Sequence, residues 1–145
     1  DGSAINLNPD TQFNSNIVAA NANILSGLYE FALNRLPDNG GTSFWLGMLL
    51  NNNVNKLTVA NSFINSQEFS DANAHIKNNN DFAQALNNNG ENRYSADAIQ
   101  AWVTKLDSGA ISRGEALLDM VEHSTNTAIS SVGIPSNGID TVSFA

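Results

Sequence analysis

The chain has 145 residues, no cysteine, 41% hydrophobic residues, and a formal net charge of −8 from fourteen acidic and six basic side chains. That length and apolar content suffice for one buried core, which excludes a chain disordered by composition. The lack of cysteine excludes disulfides, thiol catalysis and cysteine-ligated metals. The six cations, Arg35, Lys56, Lys77, Arg93, Lys105 and Arg113, are scattered. They form no cluster for phosphates, so neither nucleic acid nor an anionic membrane surface is an expected partner. No apolar run reaches the length of a membrane span, and membrane insertion is not expected either.

Residues 1–12 carry Gly2 and Pro9 among polar residues without a helical period, and read as a linker. A period starts at Asn14. Ile17, Ala20, Ile24, Leu28 and Phe31 form a stripe, with Val18, Leu25, Ala32 and Leu36 beside it. Asn16, Asn23, Glu30 and Asn34 gather opposite. The pattern predicts a long central helix, stopped by Pro37.

The following segments occur twice. A shift of 57 residues carries Trp45 onto Trp102, Leu49 onto Leu106, Val54 onto Ile111, Phe63 onto Met120 and Ile64 onto Val121. Boundary residues follow the same register. Asp38 falls on Ser95 and Asn55 on Ser112, all good N-caps, and Ser112 with Glu115 makes a capping box. Asn52 falls on Gly109, the two residue types that best accept a left-handed helix end. Each copy therefore reads as helix, turn, helix: 38–51 and 55–69, then 95–107 and 112–124. Trp45 and Trp102 each precede a leucine by four residues, which predicts that both indoles are buried. Residues 70–94 are polar, with one short helical stretch at 81–86. Asparagine runs at 51–53, 78–80 and 87–89 mark loops or helix ends. After Asn126, the Gly133, Pro135 and Gly138 breaks and the β-branched Ile134, Ile139 and Val142 predict an extended tail over 127–145. The expected architecture is an all-α bundle over 13–126, with copies at about 24–69 and 81–126.

Leu28, Tyr29, Leu33, Arg35, Pro37, Asp38, Gly41 and Trp45 compose the pattern L-Y-x(3)-L-x-R-x-P-D-x-x-G-x(3)-W. It is followed by a helix of small apolar residues and by Ser66, Gln67, Glu68 and Phe69. The pattern resembles a helical domain of unknown function found in type I-secreted RTX-like, surface-layer and related extracellular bacterial proteins. More weakly, the R-x-P element resembles that of the phycobilisome linker domain. The second copy keeps the tryptophan and residues 108–115 but has Asn92, Arg93, Tyr94 and Ser95 where the R-x-P-D element stood. Residues 137–144 resemble the entry to an RTX-type β-roll, whose glycine and aspartate turns bind calcium.

Candidate chemistry is sparse. Asp38 in its Asn-Gly-Gly turn and Asp140 in the tail are the positions for calcium, which ordinarily takes six to eight oxygens. Against that, Asp38 reads as a helix cap, Arg35 as a turn clamp, Gly41 as a packing glycine and Trp45 as core. His75 and His123 have no zinc spacing, and no G-x-S-x-G elbow is present. Asp119 and Glu122 share a helical face without the opposed partner a glycosidase needs. Tyr94, in a polar loop, and Tyr29 are the candidates for stacking on a sugar ring. The expected function is a spacer, assembly or adhesion module of a larger secreted or cell-surface bacterial protein, without an active site or cofactor. It would meet a protein or glycan partner, and a carbohydrate-binding module is the alternative.

Overall fold

The computed structural model describes the backbone of residues 9–51 and 54–131, and side chains within 17–51 and 54–125. The described residues form seven helices and no strand: α1 Pro9–Leu33, α2 Asn39–Leu50, α3 Lys56–Ile64, α4 Gln67–Ala72, α5 Asn79–Asn89, α6 Ala96–Ser108 and α7 Arg113–Ser131. The all-α expectation holds.

The C-terminal half of α1 is the central element, in contact with α2, α3, α4, α5 and α7. Ile24, Leu25, Leu28, Tyr29, Phe31 and Ala32 are buried there. Around them lie Val59 and Phe63 of α3, Phe82 and Leu86 of α5, and Leu117, Met120 and Val121 of α7. Full burial of a side chain of this size stabilises the fold by about 1.5–3 kcal/mol relative to exposure. α6 packs on α5 and α7.

The 57-residue register reappears in the helix starts, with α2 and α6 beginning at 39 and 96, and α3 and α7 at 56 and 113. Each start is capped as its residue type dictates. Asp38 accepts from the Gly41 amide, Asn55 from Thr58 and Ser95 from Ala98. Ser112 Oγ accepts from the Glu115 amide at 3.1 Å while Glu115 Oε1 accepts from the Ser112 amide at 2.8 Å, closing the expected capping box. Gly109 ends α6 at φ 80°, the left-handed position that favours glycine. Asn52 lies outside the described residues.

Several boundaries differ from expectation. Residues 9–12 are the first turn of α1, not linker, because proline suits a position whose amide has no helical partner. Residues 127–131 continue α7 instead of entering an extended tail, since no Gly or Pro interrupts them; the rest of the tail lies outside the described residues. The single helix expected over 55–69 breaks into α3 and α4, because Ser66 caps α4 by accepting from the Phe69 amide at 3.0 Å. The polar segment 70–94 hides a full helix, α5, in which Phe82, Ala83, Ala85 and Leu86 are buried. Its asparagines are structural. Asn87 donates to the Tyr94 carbonyl at 3.2 Å and accepts from its amide at 3.1 Å, and Asn89 donates to the Phe31 carbonyl at 2.9 Å.

The burial expected of both tryptophans is met by one. Trp102 is 7% exposed, whereas Trp45 is half-buried and α2 has no fully buried residue. The cause is packing: α6 lies against two helices, while α2 rests mainly on α1.

Candidate functional site

The signature residues converge where α1 hands over to α2. α1 ends at Leu33, and Asn34 turns the chain at φ 54°. Arg35 then leaves the turn and reaches α4, with Nε 2.6 Å from Glu68 Oε2 and Nη2 3.0 Å from Glu68 Oε1. This two-pronged pairing suits the planar guanidinium. The same guanidinium lies 4.9 Å from the Tyr29 ring centroid, and Tyr29 meets Phe63 edge-on with centroids 4.7 Å apart. Gly41 is required here, because a Cβ at that position would run into the Tyr29 hydroxyl. Trp45 closes the arrangement against Phe63 at 6.0 Å.

Electrostatics follow from these contacts. The Arg35 hydrogen bond holds the Glu68 carboxyl below its usual range, and Glu68 raises Arg35 in return. Burial pushes the Tyr29 phenol up, against the opposing pull of Arg35. The cluster frames a cavity of about 130 Å³, lined by Tyr29, Leu33, Arg35, Trp45, Ser62, Phe63, Ser66 and Glu68. Its charged groups already satisfy one another, so the element reads as a clamp joining α1, α2 and α4.

The second copy builds a variant of this clamp from other residues. Arg93 bonds the Gly90 carbonyl at 2.7 Å, the Ser124 hydroxyl, and Glu30 at 3.2 Å. Trp102 donates its indole N–H to Asp119 Oδ2 at 2.7 Å. Tyr94 packs edge-on against Trp102 with centroids 4.9 Å apart and gives its hydroxyl to the Met120 carbonyl. Burial raises its phenol as well.

The two tyrosines expected to stack on a sugar are therefore engaged elsewhere. Tyr29 is 5% exposed, and Tyr94 is half-buried with its hydroxyl bonded. Tyr94 precedes a cap in a polar segment, so local sequence could not reveal that α6 and α7 fold over it. Asp38 is a cap, and no group of three or more metal-ligating side chains occurs among the described residues. Asp140 lies outside them. Asp119 supports Trp102, and Glu122 pairs with Lys56 at 3.1 Å. His123 is exposed, with Nδ1 3.0 Å from the Asp119 carbonyl, and His75 is exposed too.

Two features had no sequence forecast. The first is the outer side of α2. The exposed large apolar residues of the described chain, Val18, Leu36, Phe44 and Leu50, all fall between 18 and 50. Phe44 is 58% exposed and Leu50 40%. The second is an open groove of about 580 Å³ between α3, α4 and the start of α7. Comparing the copies position by position would have found the first: Phe44, Met48 and Leu50 stand where α6 has Ala101, Lys105 and Asp107.

A helical bundle stapled by such caps and clamps defines a small all-α module. Its family is shown directly. The model described as "Domain of unknown function (DUF4214)" matches residues 4–73 and again 60–129, and the chain belongs to that family. The two matches start 56 residues apart and overlap, close to the 57-residue register of the tryptophans. A comparison with curated proteins and one with solved structures found no match. Among the described residues, no helix is long and apolar enough to cross a membrane.

Proposed function

We propose that this chain is a non-catalytic assembly module of a secreted or surface-bound bacterial protein, and that it associates with a second copy of itself through the outer face of α2. The observation that carries the reading is the contrast between α2 and α6. The two helices start in the same register, yet α6 turns Gln100, Thr104, Lys105 and Asp107 to solvent while α2 exposes Phe44 and Leu50. The fold does not demand an apolar outer face at this position. Exposed large apolar residues on the outer side of one helix mark a contact surface.

A second copy is a partner that the neutrality of this face permits. Two chains of net charge −8 repel in general. Among the described helices, α2 alone carries no ionisable side chain, so two such faces can meet without opposing like charges. Such a contact is isologous and closes as a dimer. The absence of cysteine and the acidic surface suit an exported protein. A non-catalytic role is supported by the employment of Glu30, Asp38, Glu68, Glu115, Asp119 and Glu122 as caps, ion-pair partners and an indole acceptor.

Light scattering across a concentration series tests the reading. The expected result is a dimer that dissociates on dilution, and a monomer at all concentrations for the paired change Phe44→Gln and Leu50→Gln. A wild-type chain that stays monomeric throughout, or a variant that dimerises equally, rejects it.

A further inference from the structure

The groove between α3, α4 and α7 carries a separate inference. Its volume of about 580 Å³ is that of a small-ligand site. Three features of its lining point to one kind of ligand.

Arg113 comes first. Its guanidinium gives Nε to Asn79 Oδ1 at 3.0 Å and lies 4.9 Å from the Phe82 ring centroid. Asn79 in turn donates to Asp107 at 2.9 Å, so the guanidinium is held from behind. Arg35, Lys56 and Arg93 each have a carboxylate within ion-pair distance, whereas Arg113 has none among the described residues. A fixed guanidinium without a counter-charge is suited to an incoming carboxylate.

The start of α7 adds donors. The amides of Arg113 and Gly114 lie in the first turn, where no helical acceptor exists, and Ser112 Oγ accepts from Glu115 instead. A Cβ at Gly114 would run into the Asn61 amide oxygen, with Cγ at 2.8 Å, so glycine lets this helix end approach the groove wall.

Asn73 supplies the complementary signal. It is 7% exposed and lines the groove. Its Nδ2 donates to the Ala32 and Phe69 carbonyls at 3.2 and 3.0 Å, which leaves Oδ1 on the other side of the amide, accepting from no described group. Buried carbonyl oxygens ordinarily have a donor. A ligand hydroxyl would be one.

We propose that the groove binds a hydroxylated carboxylate, a uronic acid unit of an acidic polysaccharide. The carboxylate sits on the free Arg113 nitrogens and the Gly114 amide, and a ring hydroxyl donates to Asn73 Oδ1. The C–H face of the ring lies on Ile64, Phe69 and Ile76. A phosphodiester would satisfy Arg113 but has no hydroxyl for Asn73. None of these residues belongs to α2, so the groove and the dimer contact can fail independently.

The test is amide-shift mapping of the isotopically labelled chain titrated with trigalacturonate, galactotriose or a glutamate-rich peptide at millimolar concentration. Trigalacturonate is expected to move the Gly114 amide and the Asn73 side-chain amide in a saturable way, with galactotriose binding at least about tenfold more weakly, the equivalent of one charge-assisted hydrogen bond. Ser70→Glu, at an exposed lining position on α4, is expected to weaken trigalacturonate by a similar factor without changing the melting temperature. Arg113→Gln should weaken trigalacturonate binding likewise, with some loss of stability from the Asn79 and Phe82 contacts. Any of three results overturns the proposal: no shift at Gly114 and Asn73, equal response to galactotriose, or tighter binding of the peptide. An undiminished affinity of Ser70→Glu does so as well.

Discussion

Gly41→Ala probes the signature clamp through a collision and a compensation of known sign. In the first turn of α2, exchanging glycine for alanine favours the helix by about 1 kcal/mol. Against this, the new methyl would overlap the Tyr29 hydroxyl and stand 3.0 Å from Asp38 Oδ1. Tyr29 cannot retreat easily. Its ring is 5% exposed, fixed edge-on by Phe63 and covered by Arg35. Overpacking of this kind costs about 1–3 kcal/mol, so a net destabilisation of about 1 kcal/mol is expected. Tyr29→Phe removes the colliding oxygen and leaves Cζ at 3.3 Å, a tight but tolerable contact. In that background Gly41→Ala should be neutral or stabilising, giving a coupling of about 1–2 kcal/mol in the double-mutant cycle. Urea unfolding followed by circular dichroism at 222 nm measures all four proteins. Equal costs of Gly41→Ala with and without the hydroxyl would refute the steric account.

Other expectations concern the clamp, the cap and the tryptophans. Glu68→Gln should lower stability at neutral pH by about 0.2–1 kcal/mol, the range of exposed ion pairs, since both partners are over a third exposed. The carboxyl's pKa is lower in the folded than in the unfolded chain, so this difference is complete above the ordinary carboxylate range and vanishes as pH falls through the folded value. Urea midpoints of the two proteins in a series from neutral pH into acid check it; a gap that does not narrow as the pH falls contradicts the assignment. Ser112→Ala should cost about 0.5–2 kcal/mol through loss of the cap of α7, measured by thermal melting. In single-tryptophan variants, acrylamide should quench Trp45 more than Trp102, because only Trp102 is enclosed on both sides.

Periodicity and caps carried most of the fold. The stripe from Ile24 to Phe31 was legible because apolar residues recur where a central helix needs them, and Asp38, Asn55, Ser95 and Ser112 announced four helix starts through local chemistry alone. What local pattern could not show depends on tertiary neighbours. Asn87 and Asn89 looked like loop residues, yet their amides serve backbone groups of Tyr94 and Phe31 that only the fold brings near. Trp45 and Trp102 occupy the same register, but their burial differs because one helix has two neighbours and the other chiefly one. Arg35 and Glu68 stood out in the sequence, but they lie 33 residues apart and nothing at either end announced that they pair. Arg113 gave no signal either, since a missing counter-charge becomes visible only when surrounding side chains are placed.

Hydrogen exchange of the chain at low and high concentration tests most directly whether α2 is a contact surface. Association through its outer face predicts added protection in residues 39–50 at high concentration and none in α6. Protection that is independent of concentration, or that rises on α6 while α2 stays unchanged, would contradict the account.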